Sequence, residues 1–370
     1  MSNLTTREFS EGEKDTWDSF INDSYSGDII QFWGWGETKR DQGWLPYRVG
    51  VVNEYGDLVL AAQCLLKKAG FLGNYLYIGH GPVFNKKENL ITALPKLVEF
   101  LRSKTKELNI FGIEIDPRFG KLAPEENDTS RITENIKPMI DPEILKILIS
   151  SGFKLTGRNM QPIYKLYYDL SLQDDELLAM MKKNTRYNIG LAERKGIKIT
   201  EYLSNEENIE SRMGRFYNLM QEMQQRAKGY PIRPITTFRK LLNIFEGSNN
   251  ISLFEATFEE DLIASNISQR TKHWSSSFYA GSNRLHSEKK APYLLRWRSI
   301  QKAKEHGSKV YDFWGIIPNS KQHEGYSDTK LSFGGVRIDD YGILAYPFNR
   351  FKYFLWHSFL KIRKHIFFLR

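Results

Sequence analysis

The alternation of apolar and polar positions predicts a strand, a strand, a helix and a strand, and this order occurs twice along the chain. Each copy begins with an apolar strand after an acidic turn, "DLVLAAQ" (57–63) and "DLIASNI" (261–267). Each continues with an aromatic strand end that runs into glycine, "YIGHG" (77–81) and "YAGSN" (279–283). The pattern therefore indicates two related α/β halves rather than a solenoid, whose repeats are far shorter.

The longest pair of matching segments predicts a helix followed by a strand that ends in an acid. Both "LPKLVEFLRSKTKELNIFGIEIDP" (94–117) and "APYLLRWRSIQKAKEHGSKVYDFWG" (291–315) carry a proline expected in the first helical turn, then apolar residues at helical spacing. The acids at the strand ends are Asp116 and Asp312. We therefore predict an α/β (α+β) fold with two tandem domains that arose from an internal duplication.

Between the two copies, a helix is predicted over roughly residues 172–195. Ser171 is its predicted N-cap, with Asp174 completing a capping box, and Gly196 is its predicted end. Its polar faces carry the cations Lys182, Lys183, Arg186, Arg194 and Lys195. Such a surface suits RNA phosphates, and it equally suits a face that is merely solvated, so both interpretations stay open.

The net charge of +9 is concentrated near the C-terminus. No acid follows Asp340, and the tail "RFKYFLWHSFLKIRKHIFFLR" (350–370) interleaves six cations with aromatic and aliphatic residues. This tail is too charged to span a bilayer, but it suits a helix that lies on an anionic membrane surface. The alternatives are a helix packed on the body with only its cations in water, and a contact with nucleic acid.

Composition and cysteine content narrow the class of protein. With 370 residues, 41% of them hydrophobic, the chain is long enough for two folded domains. Cys64 is the only cysteine, which excludes an intramolecular disulfide and a cysteine-rich zinc site, and its apolar surroundings predict a packed thiol. The N-terminus has no apolar signal core, so a cytoplasmic location is expected.

Most familiar catalytic signatures are missing from the sequence. There is no G-x-x-x-x-G-K-[ST] loop, no H-E-x-x-H and no G-x-S-x-G, and the seven histidines show no metal-ligand spacing. No "[RQ]-x-x-G-x-[GA]" run, which would bind the pyrophosphate of coenzyme A, stands before either predicted helix. We expect no metal and no bound cofactor.

Seven segments resemble one known family, in its order and over nearly the whole chain. They are "QFWGWGETKRDQGW" (31–44), "IEIDP" (113–117), "YYDLSLQDDELLAMMKKNTRYNIGLAERKGI" (167–197), "FYNLMQEMQQRAKGY" (216–230), "FYAGSN" (278–283), "APYLLRWRSIQKAKEHGSKVYDFWGI" (291–316) and "GYSDTKLSFGG" (325–335). Together they resemble the FemABX family, aminoacyltransferases that use aminoacyl-tRNA to attach amino acids to the stem peptide of peptidoglycan precursors, which forms the interpeptide bridge of the cell wall.

The resemblance implies two domains of the GCN5-related N-acetyltransferase (GNAT) type. We expect the first domain to comprise residues 1–155, completed by a C-terminal helix over 345–370, and the second to comprise residues 156–344. Longer family members insert a helical hairpin in the second domain, but "KITEYLSNEENIESRMGRFY" (198–217) leaves no room for it. The chain therefore resembles the short members.

The resemblance also implies two catalytic residues, Lys330 and Asp116. An aminoacyl ester is already activated, so such an enzyme needs positioning, a proton path and stabilisation of an oxyanion rather than a nucleophile of its own. Lys330, expected in a loop flanked by glycines, would stabilise the developing charge. Asp116 would hold the acceptor amine or take its proton, and we favour holding. Thr329 stands where the family usually has phenylalanine.

Further residues are implied to bind the substrates. Lys39 and Arg226 match positions that contact the diphosphate of the acceptor, with Tyr230 nearby for an aromatic or hydroxyl contact and Arg233 as a substitute for Arg226. The cations Lys182, Lys183 and Arg186 would bind tRNA. We therefore expect a monomeric aminoacyltransferase whose partners are aminoacyl-tRNA and a lipid-linked or UDP-linked muropeptide, at the inner face of the cytoplasmic membrane if the tail binds lipid. The alternatives are a CoA-dependent N-acyltransferase of the same fold and a non-catalytic RNA- or membrane-binding protein.

Overall fold

A computed structural model of the chain describes residues 3–126, 128–226, 232–317 and 324–368. Its helices are α1 (Lys14–Asp23), α2 (Trp33–Thr38), α3 (Lys87–Ser103), α4 (Pro142–Ser150), α5 (Asp174–Met180), α6 (Lys183–Arg194), α7 (Ile209–Arg226), α8 (Ile235–Ile244), α9 (Ala291–Glu305), α10 (Glu324–Leu331) and α11 (Arg350–Phe368). Its strands are β1 (Thr5–Glu8), β2 (Trp44–Val52), β3 (Leu58–Lys68), β4 (Asn74–Gly79), β5 (Val83–Phe84), β6 (Ile110–Asp116), β7 (Gly120–Leu122), β8 (Lys154–Leu155), β9 (Tyr164–Asp169), β10 (Lys198–Leu203), β11 (Ile251–Phe258), β12 (Asp261–Arg270), β13 (Trp274–Ser282), β14 (Val310–Asp312), β15 (Val336–Asp340) and β16 (Leu344–Pro347).

The chain forms two compact units. Unit 1 comprises residues 1–120, 141–161 and 340–370, and unit 2 comprises residues 121–140 and 162–339. Each unit contains one mixed sheet, and each shows the order of strand, strand, helix and strand that the sequence predicts.

The sheet of unit 1 has the order β1-β2-β3-β4-β6-β16-β8, with β5 paired to β3. Strands β4 and β6 are parallel and the other neighbours are antiparallel. The parallel pair needs a crossover, and α3 supplies it. Leu94 and Leu97 of α3 share one apolar core with Leu60, Leu76 and Ile113 of the sheet.

The sheet of unit 2 has the order β10-β11-β12-β13-β14-β9-β15-β7. Strands β13 and β14 are parallel, and α9 is the crossover between them. Leu294 and Ile300 of α9 share a core with Phe254, Ile263 and Tyr311 of the sheet. The predicted order of elements is thus confirmed in both units, as β3-β4-α3-β6 and as β12-β13-α9-β14.

Three details of the predicted elements are wrong. Pro292 lies in the first turn of α9 as predicted, but Pro95 lies inside α3 because that helix begins earlier, at Lys87. The helix predicted over 172–195 is two helices, α5 and α6, and Gln173 with Glu176 forms the capping box of α5. Ser171 donates a hydrogen bond to Asp169 instead.

The break between α5 and α6 has a tertiary cause. Met181 and Lys182 are extended, with ψ of 148° and 145°. The Met181 side chain is buried in the core of unit 2, and the Lys182 backbone N–H donates to the Ser332 carbonyl at 2.9 Å. These contacts replace the bonds that a continuous helix would make. Gly196, at φ +77°, ends α6 as predicted.

The C-terminal segment begins as a strand rather than as a helix. Residues 344–347 form β16, which pairs with β6 on one side and β8 on the other, and α11 starts only at Arg350. Residues 121–140, expected in the first domain, cluster with unit 2. The reason is that Ile136 and Met139 pack against Tyr167 and Ile338 there.

Candidate active site

Asp116 is the last residue of β6 and is buried. Its Oδ2 accepts hydrogen bonds from the Tyr77 hydroxyl at 3.0 Å and from the backbone N–H groups of Met160 and Gln161 at 3.3 and 3.1 Å. The Gln161 side chain also donates to the Tyr77 oxygen at 3.2 Å. Burial, together with the nearby Asp116 carboxylate, raises the pKa of Tyr77 well above its ordinary value. Tyr77 therefore stays a hydrogen-bond donor to Asp116.

A buried charged cluster next to Asp116 was missed by the sequence analysis. Asp28 Oδ2 lies 2.6 Å from Arg118 Nη2 and 3.3 Å from His80 Nδ1. Burial alone would raise the pKa of Asp28, but Arg118 and His80 outweigh it and hold that pKa well below its usual range. The backbone N–H of His80 donates to the Asp116 carbonyl at 2.8 Å, so the cluster fixes the backbone beside Asp116.

The only hint of this cluster in the sequence is His80, which interrupts the apolar run "YIGHG". That pattern predicts the end of a strand, but it does not predict a partner for the histidine. His80 adopts φ +45°, a left-handed conformation that is uncommon for residues other than glycine and that concentrates at functional sites. The partners of His80 are distant in sequence, so no local pattern could have named them.

Lys39 follows α2 and is also buried. Its Nζ lies 3.8 Å from the centre of the Trp35 ring, a cation–π contact. Its backbone carbonyl accepts from the Trp44 N–H at 3.2 Å, and the Trp44 ring lies 6.1 Å from the ring of Tyr77, which bonds Asp116. A backbone hydrogen bond to Trp44, its ring contact with Tyr77 and the Tyr77 hydroxyl therefore connect Lys39 to Asp116 within unit 1.

Lys330 lies in the last turn of α10 and its side chain is buried. The expectation of a loop is wrong, because the helix continues to Leu331 before the glycines begin. Lys330 Nζ donates to the Gly315 carbonyl at 2.8 Å. Burial lowers the pKa of its ammonium group well below the ordinary value; Arg296 acts in the same direction and Asp312 opposes it. The hydroxyl of Thr329 is used within the helix, bonding the Gly325 carbonyl at 2.6 Å.

The turn that Lys330 contacts is organised by Asp312, the counterpart of Asp116 in unit 2. Asp312 Oδ1 accepts from the Trp314 N–H at 2.6 Å, and Oδ2 lies 3.8 Å from Nζ of the buried Lys165. Trp314 has φ +60°, and its ring meets that of Phe278 at 4.9 Å. A buried acid and a strained non-glycine backbone therefore lie together at the end of β14, as is frequent at functional sites.

The two glycines after α10 allow this segment to approach its neighbours closely. Gly334 and Gly335 have φ of +79° and +109°. A Cβ at Gly334 would lie 2.2 Å from the Met180 carbonyl oxygen, and one at Gly335 would lie 2.5 Å from the Tyr167 carbonyl oxygen. Neither position tolerates a side chain, so the glycine pair fixes how α10 joins β15.

Arg226 is exposed and ends α7. Its guanidinium donates to the carbonyl of Ser282, the last residue of β13. Arg233 is exposed too and forms a hydrogen bond with Tyr279 of the same strand. Both arginines thus border β13. Tyr230, predicted to make an aromatic or hydroxyl contact with the acceptor, lies outside the described residues.

The three cations proposed for tRNA are exposed, but they are not equivalent. Lys182 and Lys183 begin α6. The guanidinium of Arg186 reaches back to α5 and donates to the carbonyls of Met181 at 2.5 Å and Leu178 at 3.3 Å. Arg186 therefore satisfies the free carbonyls at the end of a helix, a structural role that the sequence did not indicate.

The predicted site residues are divided between the units. Lys39 and Asp116 belong to unit 1, whereas Lys330, Arg226 and the α6 cations belong to unit 2. Cys64 is buried in β3, which confirms a packed thiol, and burial raises its pKa well above the usual range. In the part of the chain that the structure describes, no three acidic, histidine or cysteine side chains are grouped so that they could hold a metal ion.

Comparison with protein families and curated relatives gives consistent matches. A family model described as the FemAB family matches residues 13–271 and 255–361. A lipid II:glycine glycyltransferase of Staphylococcus epidermidis is 26% identical over 262 residues, 68% of this chain and 56% of that protein. One from Staphylococcus saprophyticus is 23% identical over 404 residues, 90% of this chain and 91% of that protein. The chain thus spans little more than half the length of the first relative.

Solved structures show the same fold. The crystal structure of FemX has a TM-score of 0.77 at 18% identity, covering 95% of this chain and 99% of that one. A tandem GNAT protein from the clavulanic acid biosynthesis pathway has a TM-score of 0.52 at 10% identity, covering 93% and 98%. These similarities confirm a fold of two GNAT-like domains.

Proposed function

The chain belongs to the FemAB family, and on that premise we propose that it is an aminoacyltransferase of cell-wall synthesis. It transfers an amino acid from aminoacyl-tRNA to the stem-peptide amine of a peptidoglycan precursor. The acceptor is lipid-linked, in keeping with the curated relatives, which are named for lipid II and glycine. Glycine is accordingly the first donor amino acid to test.

The reaction needs no nucleophile from the protein. The neutral acceptor amine attacks the ester carbonyl, and a tetrahedral oxyanion forms. As that intermediate collapses, the new C–N bond remains, the C–O bond to the ribose breaks, the amine loses its proton and the ribose hydroxyl leaves with one. A fixed cation close to the developing negative charge lowers the barrier, and one well-placed donor contributes roughly 3–4 kcal/mol.

The observation that carries the proposal is the burial of Lys330 beside the turn after β14. The side chain of Lys330 is only 3% exposed, so burying its charged form costs much solvation free energy. Buried ionisable groups with perturbed pKa values are common at functional sites. Its bond to the Gly315 carbonyl at 2.8 Å fixes the position of Nζ. A preorganised ammonium group of this kind suits an oxyanion or a leaving ribose oxygen.

Asp116 orients the acceptor amine in this proposal. Its Oδ2 accepts three hydrogen bonds, and hydrogen bonds of this kind favour the ionised form of a carboxylate. An ionised carboxylate can accept a hydrogen bond from an N–H of the neutral amine that attacks, so the role of holding the amine is favoured over that of a general base. Lys39 and Arg226 bind the diphosphate of the acceptor.

A transfer assay with the full chain tests the proposal. The protein is incubated with total tRNA charged with one labelled amino acid at a time, and with either lipid II or the UDP-linked precursor. We expect label to move to the lipid-linked acceptor, and ribonuclease treatment of the tRNA to abolish the transfer. Failure of every charged tRNA with both acceptors would contradict the proposal.

The rival functions are separated in the same experiment. A CoA-dependent N-acyltransferase would transfer label from acetyl-CoA to the amine without tRNA. A non-catalytic protein would bind tRNA or lipid and transfer nothing. We expect no transfer from acetyl-CoA, because no pyrophosphate-binding loop precedes α3 or α9.

A further inference from the structure

Helix α11 attaches to the body of unit 1 mainly through one side, although Leu355 on the other side also packs against it. The Tyr353 hydroxyl donates to Glu114 Oε1 at 2.6 Å, and His357 Nε2 lies 3.0 Å from the same oxygen. The Trp356 ring lies 5.8 Å from that of Tyr75 and packs on a small cluster of the sheet. At about 100° per residue, these three residues share one side of the helix.

No helix within the described ranges has the length and apolar character needed to cross a membrane.

The opposite side of α11 exposes large apolar side chains. Phe351, Phe354, Phe359 and Ile362, here called the aromatic face, are 70, 65, 55 and 60% exposed. They fall within about 140° of the helix circumference, away from Tyr353 and His357. The sequence left three alternatives: a packed helix with only cations outside, a helix on a lipid surface, and a contact with nucleic acid. The structure shows a packed helix whose outer face is nevertheless apolar.

Cations border the aromatic face on both sides. In helical projection, Arg350 and Lys361 fall on one border and Lys352 on the other. No acid occurs after Asp340, so nothing in this segment neutralises them. Exposed aromatic side chains flanked by uncompensated cations are typical of helices that lie in the plane of a membrane.

We propose that the aromatic face of α11 binds an anionic lipid surface. The Phe and Ile side chains enter the boundary between headgroups and acyl chains, and the flanking cations contact anionic headgroups. A second copy of the chain fits this face less well. Symmetric pairing would bring two uncompensated sets of cations together. The inference does not depend on the proposed transfer reaction, since lipid binding is measured without substrates.

Vesicle co-sedimentation of the full chain tests this inference with matched variants. The apolar variant is Phe351→Gln, Phe354→Gln and Phe359→Gln, and its control is Tyr55→Gln, at a residue of unit 1 that is 82% exposed. The charge variant is Arg350→Gln, Lys352→Gln and Lys361→Gln. Its control changes three exposed lysines elsewhere in unit 1, Lys86→Gln, Lys96→Gln and Lys106→Gln.

We expect wild type to bind vesicles of phosphatidylglycerol and phosphatidylcholine at low salt, and to bind pure phosphatidylcholine at least about tenfold more weakly. The apolar and charge variants should each lose at least about tenfold in partitioning, while both controls stay within about twofold of wild type. Thermal unfolding should be nearly unchanged, because the substituted side chains are exposed apart from Lys352, which is half-buried.

Three outcomes would overturn the inference. The first is equal binding of wild type to anionic and neutral vesicles. The second is a charge control that loses as much binding as the charge variant, since net charge rather than α11 would then be responsible. The third is concentration-dependent dimerisation without lipid that the apolar variant abolishes, which would assign the face to a second copy.

Discussion

At the scale of single residues, the protonation of Lys330 is open to a direct test. Burial lowers the pKa of its ammonium group, so the charged form disappears at a lower pH than for an ordinary lysine, whose pKa is near 10.5. If the ammonium is the active form, transfer falls as pH rises through this lowered pKa. Lys330→Arg, which stays charged, should remove that fall while keeping part of the activity.

Replacing Lys330 by Met keeps the apolar stem and removes the charge. We expect transfer to fall at least about a hundredfold with little change in acceptor affinity, because the lost interaction belongs to the transition state. Lys309→Met, at an exposed lysine just before β14, is the matched control. Full activity of the Lys330 variant would contradict the assignment.

Lys39 is predicted to contact the diphosphate of the acceptor equally in the ground state and in the transition state. Lys39→Met should weaken acceptor binding by about 1.5–3 kcal/mol, roughly tenfold to a hundredfold, with a smaller effect on kcat. Lys67→Met is the control, since Lys67 also lies over a tryptophan ring, Trp44, at 4.9 Å. An acceptor fragment without the diphosphate should bind both variants as it binds wild type. If this fragment binds the Lys39 variant and wild type with different affinities, Lys39 has another role.

The residues of the site differ in how far the sequence could predict them. Asp116 and Lys330 stand in motifs that mark them. Asp28, His80 and Arg118 do not, because their ion pairs join three separate segments of the fold. The burial of Lys330 was equally hidden, since its helix and the turn after β14 meet only in the folded protein.

At the scale of elements, variants of Arg186 and Lys183 distinguish a role in helix capping from a role in RNA binding. Arg186→Gln removes the donors to carbonyls at the end of α5 and should cost about 1 kcal/mol of stability. Lys183→Gln should change stability by less than about 0.5 kcal/mol. If both side chains contact tRNA phosphates, tRNA affinity falls by a similar factor in both variants. Denaturant unfolding and filter binding measure the two effects, and an unchanged tRNA affinity for both would remove these cations from the tRNA site.

Glu114 ties α11 to unit 1. Burial alone would raise its pKa, but His357, Arg158 and Tyr353 outweigh burial and lower the pKa to about 2. A lowered carboxylate pKa contributes stability that is complete above the unfolded value of 4.5 and is lost as pH falls towards about 2. Glu114→Gln should therefore cost about 2–3 kcal/mol at pH 7, and the difference from wild type should shrink in acid. Glu107→Gln, at an exposed acid, should show neither effect.

Element type was predictable wherever one apolar face persisted over several turns or over a whole strand. The duplicated strands and α9 follow such patterns. The division of residues 172–195 into α5 and α6 could not be predicted in this way, because it depends on the contact of Lys182 with Ser332, which is far along the chain. Strand β16 escaped prediction for a similar reason, since it is short and its partners are β6 and β8.

For the whole molecule, the return of the C-terminal segment to unit 1 makes a testable demand. A chain that stops after residue 343 lacks β16 and α11, so β6 loses an antiparallel neighbour and Glu114 loses two of its partners. We expect amides of β6 to lose protection from hydrogen exchange, while β11 and β12 of unit 2 remain protected. A chain that stops after Lys361 keeps these contacts and is the control. Full protection of β6 in the shorter chain would contradict this account.

The same return has a consequence for how the protein emerges from the ribosome. Unit 1 begins first, yet its sheet is completed only when residues 344–347 have been made, after all of unit 2. At usual rates of synthesis, the intervening residues take about ten to forty seconds. During that time the strand edge of β6 lacks its partner, and bare edges invite pairing with other chains. The half of the protein that is translated first is thus the last to become whole, and it passes through a period in which a chaperone is most useful to it.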